Sequence, residues 1–207
     1  MHYTEFQIQE LILCRDDIEY FADNYIKTTS GHGVVRIKLN DFQRHVIKNY
    51  NENKTFFMPA GRQEGKTTVA SIILLHQALF TEYRVSIIFA RTKAMSDHIL
   101  SIITEMFDRL PDFLTSTKMT TRNKGKIEFE NLCSIISAGS NVDYGKGRAL
   151  SNIYIDESEW FDKLDDVMVS LYPCMAAMPY AKLFSLSSTF TGDTFRKYKL
   201  AERLAAK

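Results

Sequence analysis

Apolar positions along the chain fall either into short continuous runs or into longer stretches of three- and four-residue spacing, the patterns of buried strands and of one-sided helices. Residues 3 to 27 carry Phe6, Leu11, Leu13, Ile18, Phe21, Ala22, Tyr25 and Ile26 at mostly helical spacing, which predicts a helical preface. Thr28 to Gly33 breaks that pattern, and Val34 to Leu39 alternates as a short strand does. Asn40 or Asp41 can cap a helix over Phe42 to Tyr50, and the polar Asn51 to Lys54 turns into the β-branched and aromatic Thr55 to Pro59. Val69 to Leu75 reads as a helix and Val85 to Ala90 as a strand buried on both faces. Residues 94 to 110 form a further helix, stopped by Pro111. Lys126 to Glu130 and Cys133 to Ala138 flank a tight connection, and Ile153 to Glu157 and Lys182 to Thr189 complete the strands. Strands and helices in alternation imply an α/β fold with a mostly parallel sheet and helices on both faces.

Composition narrows the field without choosing a function. The 207 residues suit one substantial core. The 26 basic and 25 acidic side chains almost cancel, so contact with nucleic acid needs a local patch; Lys118, Arg122, Lys124 and Lys126 are one candidate, or simply a solvated face. Cys14, Cys133 and Cys174 are three and far apart, against both a disulfide framework and a zinc site. The five histidines lack metal-binding spacing. No apolar run approaches the ~20 residues of a membrane span, and the N-terminus lacks a signal-peptide pattern, so a soluble intracellular protein without membrane association is expected.

The chemistry concentrates in Ala60-Gly61-Arg62-Gln63-Glu64-Gly65-Lys66-Thr67-Thr68, set between a predicted strand and a predicted helix. Such a loop surrounds phosphates with backbone N–H groups and a helix N-terminus; Lys66 would reach the β and γ oxygens and Thr67 would join the magnesium shell. Ala60 stands where the usual pattern has its first glycine. Asp156-Glu157 ends a predicted core strand, as a Walker B pair does, with Asp156 toward magnesium and Glu157 orienting and deprotonating water. A more ordinary reading has the two acids capping the next helix. Arg62 can stabilise transition-state charge in cis, or lie solvated on a turn.

The loop, Ile153-Tyr154-Ile155-Asp156-Glu157 and Ser187-Ser188-Thr189 together resemble the ATPase domain of the large terminase subunits, the DNA-packaging motors of tailed bacteriophages. The resemblance covers most of the chain and implies a RecA-like P-loop ATPase of the additional-strand class. Its phosphate loop typically carries Arg-Gln before Gly-Lys-Thr, so Ala60 fits the family. It implies an adenine contact for Gln43, a nucleotide-binding loop from Gly61 to Thr68, and γ-phosphate coupling through Ser187, Ser188 and Thr189. A sensor or trans-acting role falls to Lys146 or Arg148, in a loop where relatives carry Arg-Gly. Residues 1–33 correspond to a helical lid and 34–207 to the ATPase core, with the family's nuclease domain absent.

The implied activity is magnesium-dependent ATP hydrolysis driving double-stranded DNA into a viral procapsid in the host cytoplasm. The implied partners are a portal protein, a small terminase subunit and further copies in a ring, the isolated chain being monomeric or not. A helicase or translocase fragment shares the same motifs, although the residues after Thr189 are too few for a second lobe. A non-hydrolysing nucleotide-gated assembly module is the third reading.

Overall fold

The apolar runs become the middle of one sheet, and their order in space differs from their order in the chain. The computed structural model describes residues 3–31, 33–141, 147–160, 164–176 and 178–188. In chain order the elements are α1 (Glu5–Asp16), α2 (Ile18–Tyr25), β1 (Lys27–Ser30), β2 (Gly33–Arg36), α3 (Asp41–Glu52), β3 (Thr55–Pro59), α4 (Lys66–Phe80), β4 (Val85–Phe89) and α5 (Lys93–Asp108). They continue as β5 (Met119–Arg122), β6 (Lys126–Phe129), β7 (Ser134–Gly139), β8 (Asn152–Asp156), a short 3-10 turn (Ser158–Trp160), α6 (Leu164–Ala176) and β9 (Lys182–Ser187). The sheet runs β3-β9-β8-β4-β7-β6-β5, parallel from β3 to β7 and antiparallel through β6 and β5.

Side chains alternate across this sheet, one set per face. Phe56, Met58, Ile88, Tyr154, Phe184 and Leu186 join the core built with α1 to α5, whereas Ile87, Phe89, Ile153, Ile155 and Leu183 face α6. Helices therefore cover both faces, as the alternation of elements predicts. The rings of Phe56 and Phe184 stack at 5.8 Å, Phe184 and Tyr154 at 4.9 Å, and Tyr50 meets Phe184 edge-on. This aromatic rung crosses β3, β9 and β8. At the opposite end of the strands, Lys182 Nζ reaches the carbonyls of Tyr50, Asn51 and Asn53, a cation on the C-terminus of α3.

Three expectations are corrected. The single preface helix is two, because Asp17 leaves helical geometry and its carboxylate caps α2 through the Glu19 and Tyr20 amides. The strand expected over Val34 to Leu39 ends at Arg36 and pairs with Lys27–Ser30 in an exposed ribbon apart from the main sheet. Met119–Arg122, where the apolar pattern predicts no strand, is the sheet's antiparallel edge strand.

The preface is seated on α4. His76, buried between the rings of Phe21 and Phe80, donates from Nε2 to the Cys14 carbonyl at 2.8 Å. The Glu10 carboxylate accepts from the hydroxyls of Tyr20 and Tyr25, and burial pushes the Cys14 thiol up to about 12. Burial also lowers His76 from 6.5 to about 4, more than its hydrogen bond raises it. A depressed histidine stabilises the fold as the neutral ring: that contribution is whole above 6.5 and is lost as pH falls toward 4. At ~1.4 kcal/mol per unit it amounts to roughly 3 kcal/mol. Urea unfolding of wild type and His76→Gln between pH 7 and 4 should therefore converge as the pH drops; parallel pH curves would contradict it.

Candidate active site

The pairing of β3, β9 and β8 brings three separate motifs to one edge. Pro59 lies opposite Ser187 and Asp156 opposite Leu186, so the phosphate loop, the two acids and the hydroxyl pair leave the carboxyl ends of neighbouring strands. Ala60 N donates to the Ser187 carbonyl at 2.9 Å, which ties the start of the loop to β9. Within the loop Gly61 N donates to Glu64 Oε2 at 2.7 Å, and Gln63 and Gly65 take positive φ of 65° and 78°. At that φ a side chain on residue 65 would be strained, and its Cβ, 2.4 Å from Gln43 Nε2, would also push the end of the Gln43 side chain aside, so glycine suits the position. α4 starts immediately afterwards with no side-chain cap, leaving its first amides open to an anion.

Lys66, on that first turn, pairs with Glu157 Oε1 at 2.8 Å. The other oxygen, Oε2, accepts from Ser188 N at 2.6 Å, Ser188 Oγ at 2.9 Å and Ser187 Oγ at 3.1 Å. Glu157 adopts φ +51° and its own amide donates to the Leu186 carbonyl. Burial alone would raise its carboxyl, but Lys66 and the Ser188 donors outweigh this and hold it below the ordinary carboxylate value. Asp156 goes the other way. It is 6% exposed and accepts at Oδ1 from the Tyr154 hydroxyl at 2.6 Å; burial, only partly offset by that bond, raises it. Two adjacent carboxylates are thus driven apart, one held ionised and one penalised for its charge. Among the described residues neither acid caps a helix: Glu157 is committed to Lys66 and the end of β9, and Asp156 to Tyr154.

Gln43 is buried although polar, because it shares the inner face of α3 with Val46, Ile47 and Tyr50. It closes a capping box with Asn40, its Oε1 accepting from Asn40 N at 3.1 Å, and its Nε2 donates to the Gly65 carbonyl at 3.3 Å. Asn40 adds a bond to the Glu64 carbonyl at 3.2 Å, so α3 braces the loop. Thr67 and Thr68 lie half-buried on the first turn of α4, and Arg62 is exposed with no partner among the described residues. Arg148 is exposed as well; Lys146 and Thr189 lie outside the described residues. The brace from Asn40 and the internal bond of Glu64 had no signal in the sequence.

Residues 57–170 match the family described as terminase large subunit, T4likevirus-type, N-terminal. The chain belongs to that family. Its fold is also that of solved phage proteins. The HK97 bacteriophage large terminase superposes with a TM-score of 0.69 at 14% identity, over 84% of this chain and 37% of that one. An arginine-to-alanine mutant of the Thermus phage P74-26 large terminase ATPase domain gives 0.67 at 15% identity, over 78% and 69%. A large terminase from a thermophilic bacteriophage, in complex with ADP, gives 0.57 at 11%, over 72% and 39%. This terminase chain covers 37% of the HK97 protein and 39% of the ADP-bound one, so it spans well under half the length of either.

The basic cluster is half neutralised in the terminase fold: Arg122 makes two bonds to Asp108 at 2.9 and 2.6 Å, and Lys126 pairs with Glu128. Among the described residues, Lys118 and Lys124 are the members of the cluster without an ion pair. Among the described residues, too, no three His, Cys, Asp or Glu gather around a common point, and no helix is long and apolar enough to cross a membrane.

Because burial raises Asp156, its charge costs stability in full above its folded pKa, and the cost shrinks as pH falls and is gone below the ordinary value of 3.8. Asp156→Asn should accordingly raise the melting temperature at pH 7.5 and leave it nearly unchanged near pH 4; a lower Tm at neutral pH would contradict this.

Proposed function

We propose that this chain hydrolyses ATP with magnesium and that the cycle drives double-stranded DNA into a viral procapsid. The observation that carries the reading is the Lys66–Glu157 pair, anchored on the other side by Ser187 and Ser188. Lys66 and the open amides of α4 receive the β and γ phosphates. An incoming phosphate competes with Glu157 for the Lys66 ammonium, so nucleotide binding frees a carboxylate that is already ionised at neutral pH. Glu157 then orients the attacking water and accepts its proton. Its ties to Ser187 and Ser188 make β9 the element that registers whether Glu157 faces Lys66 or water, in keeping with a coupling role for these serines and Thr189.

Thr67 and Asp156 would hold magnesium. The donors suit it, since hydroxyl and carboxylate oxygens are hard ligands and no second hydrogen bond to the Asp156 carboxylate is present among the described residues. The ion would neutralise charge on the β and γ oxygens. Arg62, exposed within the loop, stabilises γ-phosphate charge in cis. Gln43 reads adenine by releasing its bonds to Asn40 and Gly65, and the backbone of Gly61 to Thr68 wraps the phosphates. Lys146 or Arg148 senses phosphate or acts on a neighbouring copy.

The family match favours this motor over a helicase fragment carrying the same motifs. The remaining partners follow from it: the portal, the small terminase subunit and further copies in a ring at the procapsid in the host cytoplasm.

Phosphate release from the purified chain, abolished by Lys66→Ala, tests hydrolysis; no release in any magnesium concentration favours the nucleotide-gated module. Glu157→Gln should lower kcat by about 10²–10⁴-fold, the usual worth of a general base, while ATP affinity is retained or tightened because glutamine no longer competes as an anion. Arg62→Ala should lower kcat by about 10²-fold, as loss of one transition-state donor does, with little change in affinity. A variant that loses affinity alone would make Arg62 a ground-state anchor.

A further inference from the structure

Tyr154 has no place in the reaction as derived so far, yet its hydroxyl ends on the carboxylate assigned to magnesium. It lies two residues before Asp156 on β8, and a strand puts such residues on the same face. The side chain is fully buried, where phenylalanine would fill the same space without a polar atom to satisfy. Its hydroxyl donates to Asp156 Oδ1 at 2.6 Å.

The ring is not free to follow the carboxylate. It stacks on Phe184 at 4.9 Å and 29°, and Phe184 stacks in turn on Phe56 at 5.8 Å and 19° with Tyr50 against its edge. Three strands therefore set the height of one hydroxyl. A carboxylate with one oxygen held by a fixed donor loses rotation about its last bond and keeps its other oxygen for a ligand.

We propose that Tyr154 is a positioning residue for magnesium: the aromatic rung holds its hydroxyl where it locks Asp156 into the orientation that accepts the hydrated ion beside the nucleotide. This rests on the reading of Asp156 as the magnesium-side carboxylate. Outer partners of metal ligands typically change metal affinity by about 10–100-fold. Removing the hydroxyl alone should act on the magnesium-dependent part of nucleotide binding and leave the magnesium-free part alone. A residue that merely filled the core would disturb both or neither.

The test is binding of a fluorescent ADP analogue to wild type, Tyr154→Phe, Phe184→Leu and Asp156→Asn, titrated with magnesium and repeated in EDTA. For Tyr154→Phe the magnesium concentration at half-saturation should rise about tenfold, with affinity in EDTA unchanged. Phe184→Leu keeps the hydroxyl but loosens its stack, and should give a smaller rise in the same direction. If Asp156→Asn raises the half-saturation point while both other variants leave it at the wild-type value, the positioning role is overturned. Equal loss of affinity with and without magnesium in Tyr154→Phe also overturns it. If Asp156→Asn itself leaves magnesium dependence untouched, the assignment of Asp156 fails, and the role of Tyr154 with it.

Discussion

Everything at the active edge depends on the register in which β3, β9 and β8 pair. β3 lies far from β8 and β9 along the chain, and their motifs meet only because Pro59 stands beside Ser187 and Leu186 beside Asp156. A slip of one residue would turn every side chain of a strand to the opposite face. Tyr154 and Asp156 would then point toward α6, and Ile153 and Ile155 toward α4. The stacked rings of Phe56, Phe184 and Tyr154 oppose such a slip, since aromatic side chains find one another only in the native register. Lys182, tied to the end of α3, holds β9 from its other end.

That rigid frame carries a strained and partly mismatched set of groups. Gln63 and Glu157 have positive φ without being glycine, a conformation that costs of order 1 kcal/mol or more and persists where surrounding bonds impose it. For Glu157 those bonds are its amide to Leu186 and its carboxylate to Lys66 and Ser188. Asp156 is buried with one hydrogen bond for a charge among the described residues. Neither feature stabilises the fold by itself; both fit the proposed reading, in which a cation and a polyphosphate would complete the electrostatics. Lys66 is the hinge of that balance: its ammonium pairs with Glu157, and in the proposed reading it would become the partner of an arriving phosphate.

The local code is readable over much of the chain. The strand-loop-helix around Lys66, the acids ending β8 and the hydroxyls ending β9 follow from apolar runs and glycine positions that short-range sterics impose. Asn40 as the cap of α3 follows from its side chain. What the local pattern left undecided were positions whose environment comes from distant residues. Gln43 has surface composition on a helix, yet faces Gly65, 22 residues away. Arg122 and Lys126 look like a basic patch until β5 and β6 fold them onto Asp108 and Glu128. Lys27 to Ser30 joins Gly33 to Arg36 as a ribbon, a pairing that helical spacing before it obscures.

The amino-acid order thus dictates which elements form and which residues can do chemistry, because backbone sterics, glycine freedom and apolar periodicity act over a few residues. It also suffices to group the chain with the large terminases, since their signature is a set of such short motifs. Which oxygen of Glu157 meets Lys66, that Tyr154 is spent on Asp156, and that Gln43 braces the loop are decided only once the sheet has assembled. Hydrogen bonds and ion pairs act over about 3 Å, and only the closed fold brings residues from distant parts of the chain within that reach.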